Sequence, residues 1–115
     1  MSVIESLMDD LFERMQAEQA VFTEELMKLS KEDILDHALE YAIRERILLC
    51  IEIKDLTERQ AQALLTLKHP LADIYNRLDI DNAPGAIEMI NNAIEHEANR
   101  RLRKLFLDKQ KRSEM

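Results

Sequence analysis

This chain has almost nothing to turn on: its 115 residues include one Gly and two Pro. Tight β-hairpins want Gly or Asn-Gly where φ is positive, and Gly85 is the single glycine that could serve. Leu, Ile, Ala, Glu, Lys, Arg, Met and Gln make up most of the rest, and all but Ile are among the stronger helix formers. The expectation is an all-α chain. A chain of this length buries somewhat over ~60% of its unfolded surface, enough for one modest core. With no internal repeat and no low-complexity segment, residues 1–115 read as a single helical domain.

Periodicity divides that domain into about five helices. Over residues 1–29, Ile4, Met8, Leu11, Met15, Phe22 and Leu29 recur in a seven-residue rhythm, with Glu18 and Glu25 at the alternate places. Leu7, Phe12 and Leu26 widen the stripe, so this long helix can face both its own core and a partner. Ser30 before Lys31-Glu32-Asp33 reads as an N-cap with acid where the helix dipole favours it, which starts a core helix over 31–53. The apolar set Ile34, Leu35, Ala38, Leu39, Ala42, Ile43 and Ile47 passes into the run from Ile47 to Ile51, apolar nearly all round and expected at the centre of the core.

Thr57 and Gln60 have the spacing of a capping box. Pro70 disfavours helix at His69 and suits the first turn of the next helix. Two short helices over 57–78 follow, with a helix-turn-helix-like look, then a loop over 79–85 that holds the one Gly and the second Pro. Ile87, Ile90, Ile94, Ala98, Leu102 and Leu105 mark a basic last helix over 86–112, with steps that drift from a strict heptad. The first and last helices, on the order of 40 Å long at about 1.5 Å per residue, frame the short core. Roughly fifty residues between them cannot cover both stripes, so part of the apolar surface should meet another chain. A homodimer is the simplest form of that contact.

Charge is divided unevenly. Residues 1–99 hold nine basic and twenty-one acidic side chains, net −12, and residues 100–115 hold seven and two, net +5, for the total of −7. Such a division points to binding more than to chemistry. The single Cys50 excludes an intramolecular disulfide and a multi-cysteine metal site. The start Met1-Ser2-Val3-Ile4-Glu5 lacks a basic region, and no run of eighteen apolar residues is present, so no secretory signal and no membrane span are expected. The reading is a cytoplasmic protein.

Three blocks carry a resemblance: Asp36-His37-Ala38-Leu39-Glu40-Tyr41-Ala42-Ile43-Arg44-Glu45-Arg46-Ile47-Leu48, then Leu56-Thr57-Glu58-Arg59-Gln60-Ala61-Gln62-Ala63-Leu64-Leu65, then Pro70-Leu71-Ala72-Asp73-Ile74-Tyr75. In that order they resemble a family of short helical proteins of unknown function from Gram-positive gut bacteria and their mobile elements or phage. The similarity covers about residues 10 to 80. It implies a bacterial setting and gives no residue a role, and the basic end lies outside it.

The sharper motifs each have an ordinary alternative. His37, Tyr41, Arg44 and Glu45 lie near one another on the core helix and could line a pocket; the ordinary reading is an Asp33/His37 pair, a Glu40–Arg44 pair and a Tyr41 ring with its hydroxyl outward. Glu95-His96-Glu97 begins like a zinc-protease helix, but Arg100 stands where the second His belongs. Cys50 sits in an apolar run and reads as a small hydrophobe. The would-be recognition helix from Pro70 offers Asp73, Asn76 and Arg77 with Asp79 behind, a poor set for base edges. Neither a nucleophile beside a base nor two carboxylates in separated environments is marked.

The expected function is therefore a non-catalytic protein-interaction or regulatory module, of the anti-defence or inhibitor type if it serves a mobile element. No cofactor and no metal are called for. Candidate partner-binding residues are Met8, Met15 and Phe22 on the first helix, with adaptable thioethers, and Leu102, Arg103, Leu105 and Phe106 on the last. Because Leu102, Leu105 and Phe106 give the basic segment an apolar face, its charges should lie against an acidic surface of a twin or an unknown protein partner. The alternative is a nucleic-acid-binding regulator that sets the basic helix on phosphates; a third reading makes the acidic body a mimic of DNA.

Overall fold

A computed structural model describes residues 2–79 and 86–113, the side chains of 109–113 excepted. These residues form six α-helices and no strand: α1 (Val3–Met27), α2 (Lys31–Asp36), α3 (Ala38–Ile53), α4 (Glu58–Leu65), α5 (Pro70–Tyr75) and α6 (Ile87–Ser113). Most of the loop expected over 79–85 lies outside the described residues.

The helix starts follow from local chemistry. Ser2 and Ser30 accept from the amides of Glu5 and Asp33, both at 3.2 Å, satisfying donors that a first helical turn leaves open. Thr57 and Gln60 close the capping box in both directions, at 3.0 and 3.1 Å. Pro70 occupies the first turn of α5, where its missing N–H has no partner to lose.

The segment 31–53, expected as one helix, is two. His37 sits at φ −101°, ψ 2°, between them. No residue near position 37 forbids helix, so periodicity reads straight through. The cause is tertiary: α2 buries no residue, whereas α3 is held by Ile43, Ile47 and Ile51. The side chains expected in the core ahead of Ile43 are accordingly outside it; Ile34 is half-buried, and Leu35, Ala38, Leu39 and Ala42 are exposed.

α3 and α4 form the middle of the molecule, and the two long helices meet mainly through the short ones: α4 packs on both α1 and α6, and α3 on α1, α5 and α6. The core joins Leu11 and Met15 of α1 to Ile47 and Ile51, Leu64, Leu71, Ile74, Ile90 and Ile94. Within the apolar run of α3, Leu49 breaks from its neighbours and is 61% exposed. The radius of gyration is 15.6 Å and the longest dimension 53 Å, against about 13 Å expected for a compact chain of this length. The elongation fits a last helix of 27 residues, about 40 Å at 1.5 Å per residue, that outruns the short helices it packs on.

Candidate functional site

The polar cluster foreseen on the core helix exists but is divided. Arg44 is 8% exposed, its guanidinium 4.1 Å from the Phe22 ring centroid and 5.8 Å from that of Tyr75. Glu40, one turn earlier, accepts from it at 3.0 and 3.1 Å. His37 Nδ1 lies 3.7 Å from the same carboxylate, so His37 faces Glu40 instead of Asp33. Glu45 turns to α1, where it accepts from Gln19 at 3.2 Å; the Gln19 amide also reaches the Tyr41 carbonyl at 3.4 Å. Burial, then the Glu40 charge, push the Tyr75 hydroxyl above its usual range, with Arg44 opposing.

This arrangement is a stacked arginine with a satisfied carboxylate. Arg44→Ala is expected to cost about 1–2 kcal/mol, since a partly desolvated guanidinium over aromatic rings contributes on that order. Arg44→Lys should recover less than half, because an ammonium keeps the charge and loses the planar contact. Urea unfolding of both variants checks this; equal stability of parent and Arg44→Ala would remove the packing role.

A second polar centre went unread in the sequence. Glu97 is 2% exposed, accepting from Arg77 Nε at 2.7 Å and from Arg100 at 3.2 Å. Burial, followed by the Glu97 charge, pushes the neighbouring Asp73 carboxyl up, against His69, Arg100 and Arg101. Arg101 donates to Thr66 Oγ1 at 2.8 Å, and Arg14 donates to the Leu65 carbonyl, so α4 ends between two arginines. The Leu65 carbonyl, left open at the helix end, thereby gains a donor.

Glu18, read as a lapse in a heptad, has a definite task. Its two oxygens accept from the amides of Leu71 and Ala72 at 2.9 and 2.8 Å, capping α5 from a position more than fifty residues away. A carboxylate suits that helix end for the same reason that anions do. The N-terminus that a recognition helix would lead with is thus occupied by α1. The sequence signal was present in Pro70, which marks a helix start with no capping side chain nearby.

The candidate partner-binding residues fare differently. Met15 is fully buried and fills the core, so it is not an accessible contact; the apolar stripe of α1 turns inward at Leu11 and Met15. Met8 is half-buried against that core, and Phe22 is half-buried beneath Arg44. Leu102 and Leu105 are half-buried, while Arg103 and Phe106 are exposed. The apolar face of α6 therefore continues past the helices that cover it.

The row missed by the sequence reading lies on the outside of α3. Leu39, Ala42, Arg46, Leu49 and Ile53 follow steps of three and four, which places them on one helix face. All five are exposed, Leu39 by 56%, Leu49 by 61% and Ile53 by 79%. Periodicity could not assign them because the opposite face, with Ile43, Ile47 and Ile51, is apolar too.

Two chemical features complete the picture. Burial pushes the Cys50 thiol up, with Lys54 and Arg46 opposing, and the residue is 4% exposed. An Ellman reagent at mildly alkaline pH should react with the folded chain roughly a hundredfold or more slower than with the denatured chain, since attack waits on opening; equal rates would contradict this burial. Among the described residues, no three His, Cys, Asp or Glu side chains are grouped as for a metal ion, and no helix is long and apolar enough to cross a membrane.

A family model described as a protein of unknown function (DUF3848) matches residues 7–102 of the chain. No curated protein and no solved structure matches.

Proposed function

The chain belongs to the DUF3848 family, and we propose that it is a small interaction module, self-associating as a homodimer, that regulates another protein by contact and performs no reaction. The observation that carries this reading is the outward row on α3. Leu39, Leu49 and Ile53 stay exposed although the helix already buries Ile43, Ile47 and Ile51 on its other side. A helix apolar on two faces has one face to spare for another chain.

Magnitudes set the character of that contact. Full burial of each of the three side chains contributes about 2 kcal/mol, against an association cost of at least ~4 kcal/mol. The row alone supports only weak association, and a lasting dimer draws on further surface. A nucleic-acid role has less behind it: Arg100 and Arg101 are engaged by Glu97 and Thr66, which leaves fewer free cations for phosphates. Service to a bacterial mobile element in the cytoplasm, as an inhibitor-type binder, rests on the sequence resemblance.

Sedimentation equilibrium over about 2 to 200 µM, the range in which weak dimers form, tests the proposal. The mass should rise from 13.5 kDa toward twice that value. The double variant Leu49→Glu with Ile53→Glu should keep its helix content and lose the association. A mass of 13.5 kDa throughout would contradict the homodimer.

A further inference from the structure

Between the N-terminal turns of α1 and the end of α3 lies an open groove of about 450 Å³. Ile4, Met8, Ile53 and Leu56 give it apolar walls, and Glu5, Asp9, Glu52 and Asp55 stand exposed along its rim. Lys54, the one cation among the described lining residues, is paired with Glu95 at 3.0 Å instead of with a rim carboxylate. Ile53 is also the last member of the outward row on α3, and the groove and the row form one surface.

The opposite combination occurs at the far end of α6. Beyond Arg101, which is anchored on Thr66, Arg103 and Lys104 are exposed beside Phe106 and Leu107, themselves 61% and 55% exposed. Spacings of three and four put Arg103 with Phe106 and Leu107, and Lys104 with Leu107. This is a basic, apolar knob, where the groove is acidic and apolar.

The geometry points to a pairing of the two: the end of α6 in one copy seats in the acid-rimmed groove of a second copy, and the exchange is reciprocal about a two-fold axis. The occupant is a second copy because the end cannot reach its own groove. α6 is unbroken from Ile87 to Ser113 and is held at Glu95 by Lys54, at Asn99 by Gln60 and at Arg101 by Thr66. A rise of about 1.5 Å per residue carries Leu107 roughly 18 Å beyond Glu95, away from the groove that Lys54 lines. Opposite charge steers the encounter and fixes which surfaces meet. Reciprocal exchange fills both grooves and closes the assembly, whereas a one-way contact would propagate. The pairing supplies the additional surface that the row on α3 lacks, and it rests on the self-association proposed above.

Charge reversal in the full chain separates the two ideas. The groove variant is Asp9→Lys with Glu52→Lys, and the end variant is Arg103→Glu with Lys104→Glu; all four positions are exposed, and thermal melting followed by circular dichroism checks that each variant folds. Each alone should weaken self-association about tenfold or more, as expected for lost charge complementarity. An equimolar mixture should regain parental affinity to within about threefold, because its heterodimer restores opposite charge at both contacts. Phe106→Ala, which alters no charge, should weaken association as well. A dimer indifferent to both reversals overturns this pairing and leaves the homodimer standing; weakened variants that fail to recover when mixed also overturn it. A parent chain that never associates overturns both.

Discussion

Ile47→Ala is expected to lower the unfolding free energy by about 3 kcal/mol, from lost transfer energy and the cavity left behind. Ile47 has no solvent exposure, and its helix touches α1, α5 and α6, so no single neighbour can move to fill the gap. Against a total stability of ~5–15 kcal/mol for a domain, that loss is a large share. Leu49, two residues on and 61% exposed, provides the internal control. Leu49→Ala should change stability by less than ~0.5 kcal/mol, as exposed positions do. Urea midpoints for the two variants measure the contrast. Similar losses at both positions would mean that the run from Ile47 to Ile51 is buried all round and that α3 has no outward apolar row.

Glu18→Ala should cost about 2 kcal/mol. Two amides at the start of α5 lose a charge-assisted acceptor in a half-buried place, and caps of this kind are worth ~0.5–2 kcal/mol, with charged acceptors at the strong end. Leu71, whose amide is one of the two, is fully buried and cannot turn to water for a substitute. Glu18→Gln should retain about half, since the amide oxygen can serve one donor without the charge. Glu25→Ala, at the other lapse in the heptad and exposed, should be neutral to within ~0.5 kcal/mol. Thermal unfolding of the three variants tests this ranking, and a neutral Glu18→Ala would remove the cap.

Much of the fold was legible because the helix signals are local. Ser30, the Thr57/Gln60 box and Pro70 mark starts through bonds made within a turn, and each mark agrees with the structure. The break at His37 was illegible because no residue there forbids helix; it lies ahead of the part of α3 held in the core, which begins at Ile43, under two turns away. The core of α1 follows the steps Leu11, Met15, Gln19 and Leu26, and a polar Gln19 in that series is invisible to a hydrophobic count. Glu18 and Glu97 were passed over for a related reason. Their partners, at residues 71–72 and 77, are set by tertiary packing, and a lone carboxylate on a helix gives no sign of whom it serves. The surface on α3 was hidden by the opposite problem, since a helix apolar on two faces shows no phase.

The acidic body and basic end gain definition from the packing. Arg100 and Arg101 are spent within the molecule, on Glu97 and Thr66. Arg103 and Lys104 are left outside with Phe106 and Leu107, while exposed carboxylates border the groove by Ile53. The imbalance noted in the sequence thus becomes two surfaces of opposite character on one elongated molecule.

Hydroxyl-radical footprinting of the parent chain at low and high protein concentration tests whether the outward row on α3 is an interface, because it reads side-chain access residue by residue. Leu49 and Ile53 should lose reactivity as the chain is concentrated, while the exposed Val21 and Met27 of α1 keep theirs. Undiminished reactivity of Leu49 and Ile53 in the concentrated sample would contradict it.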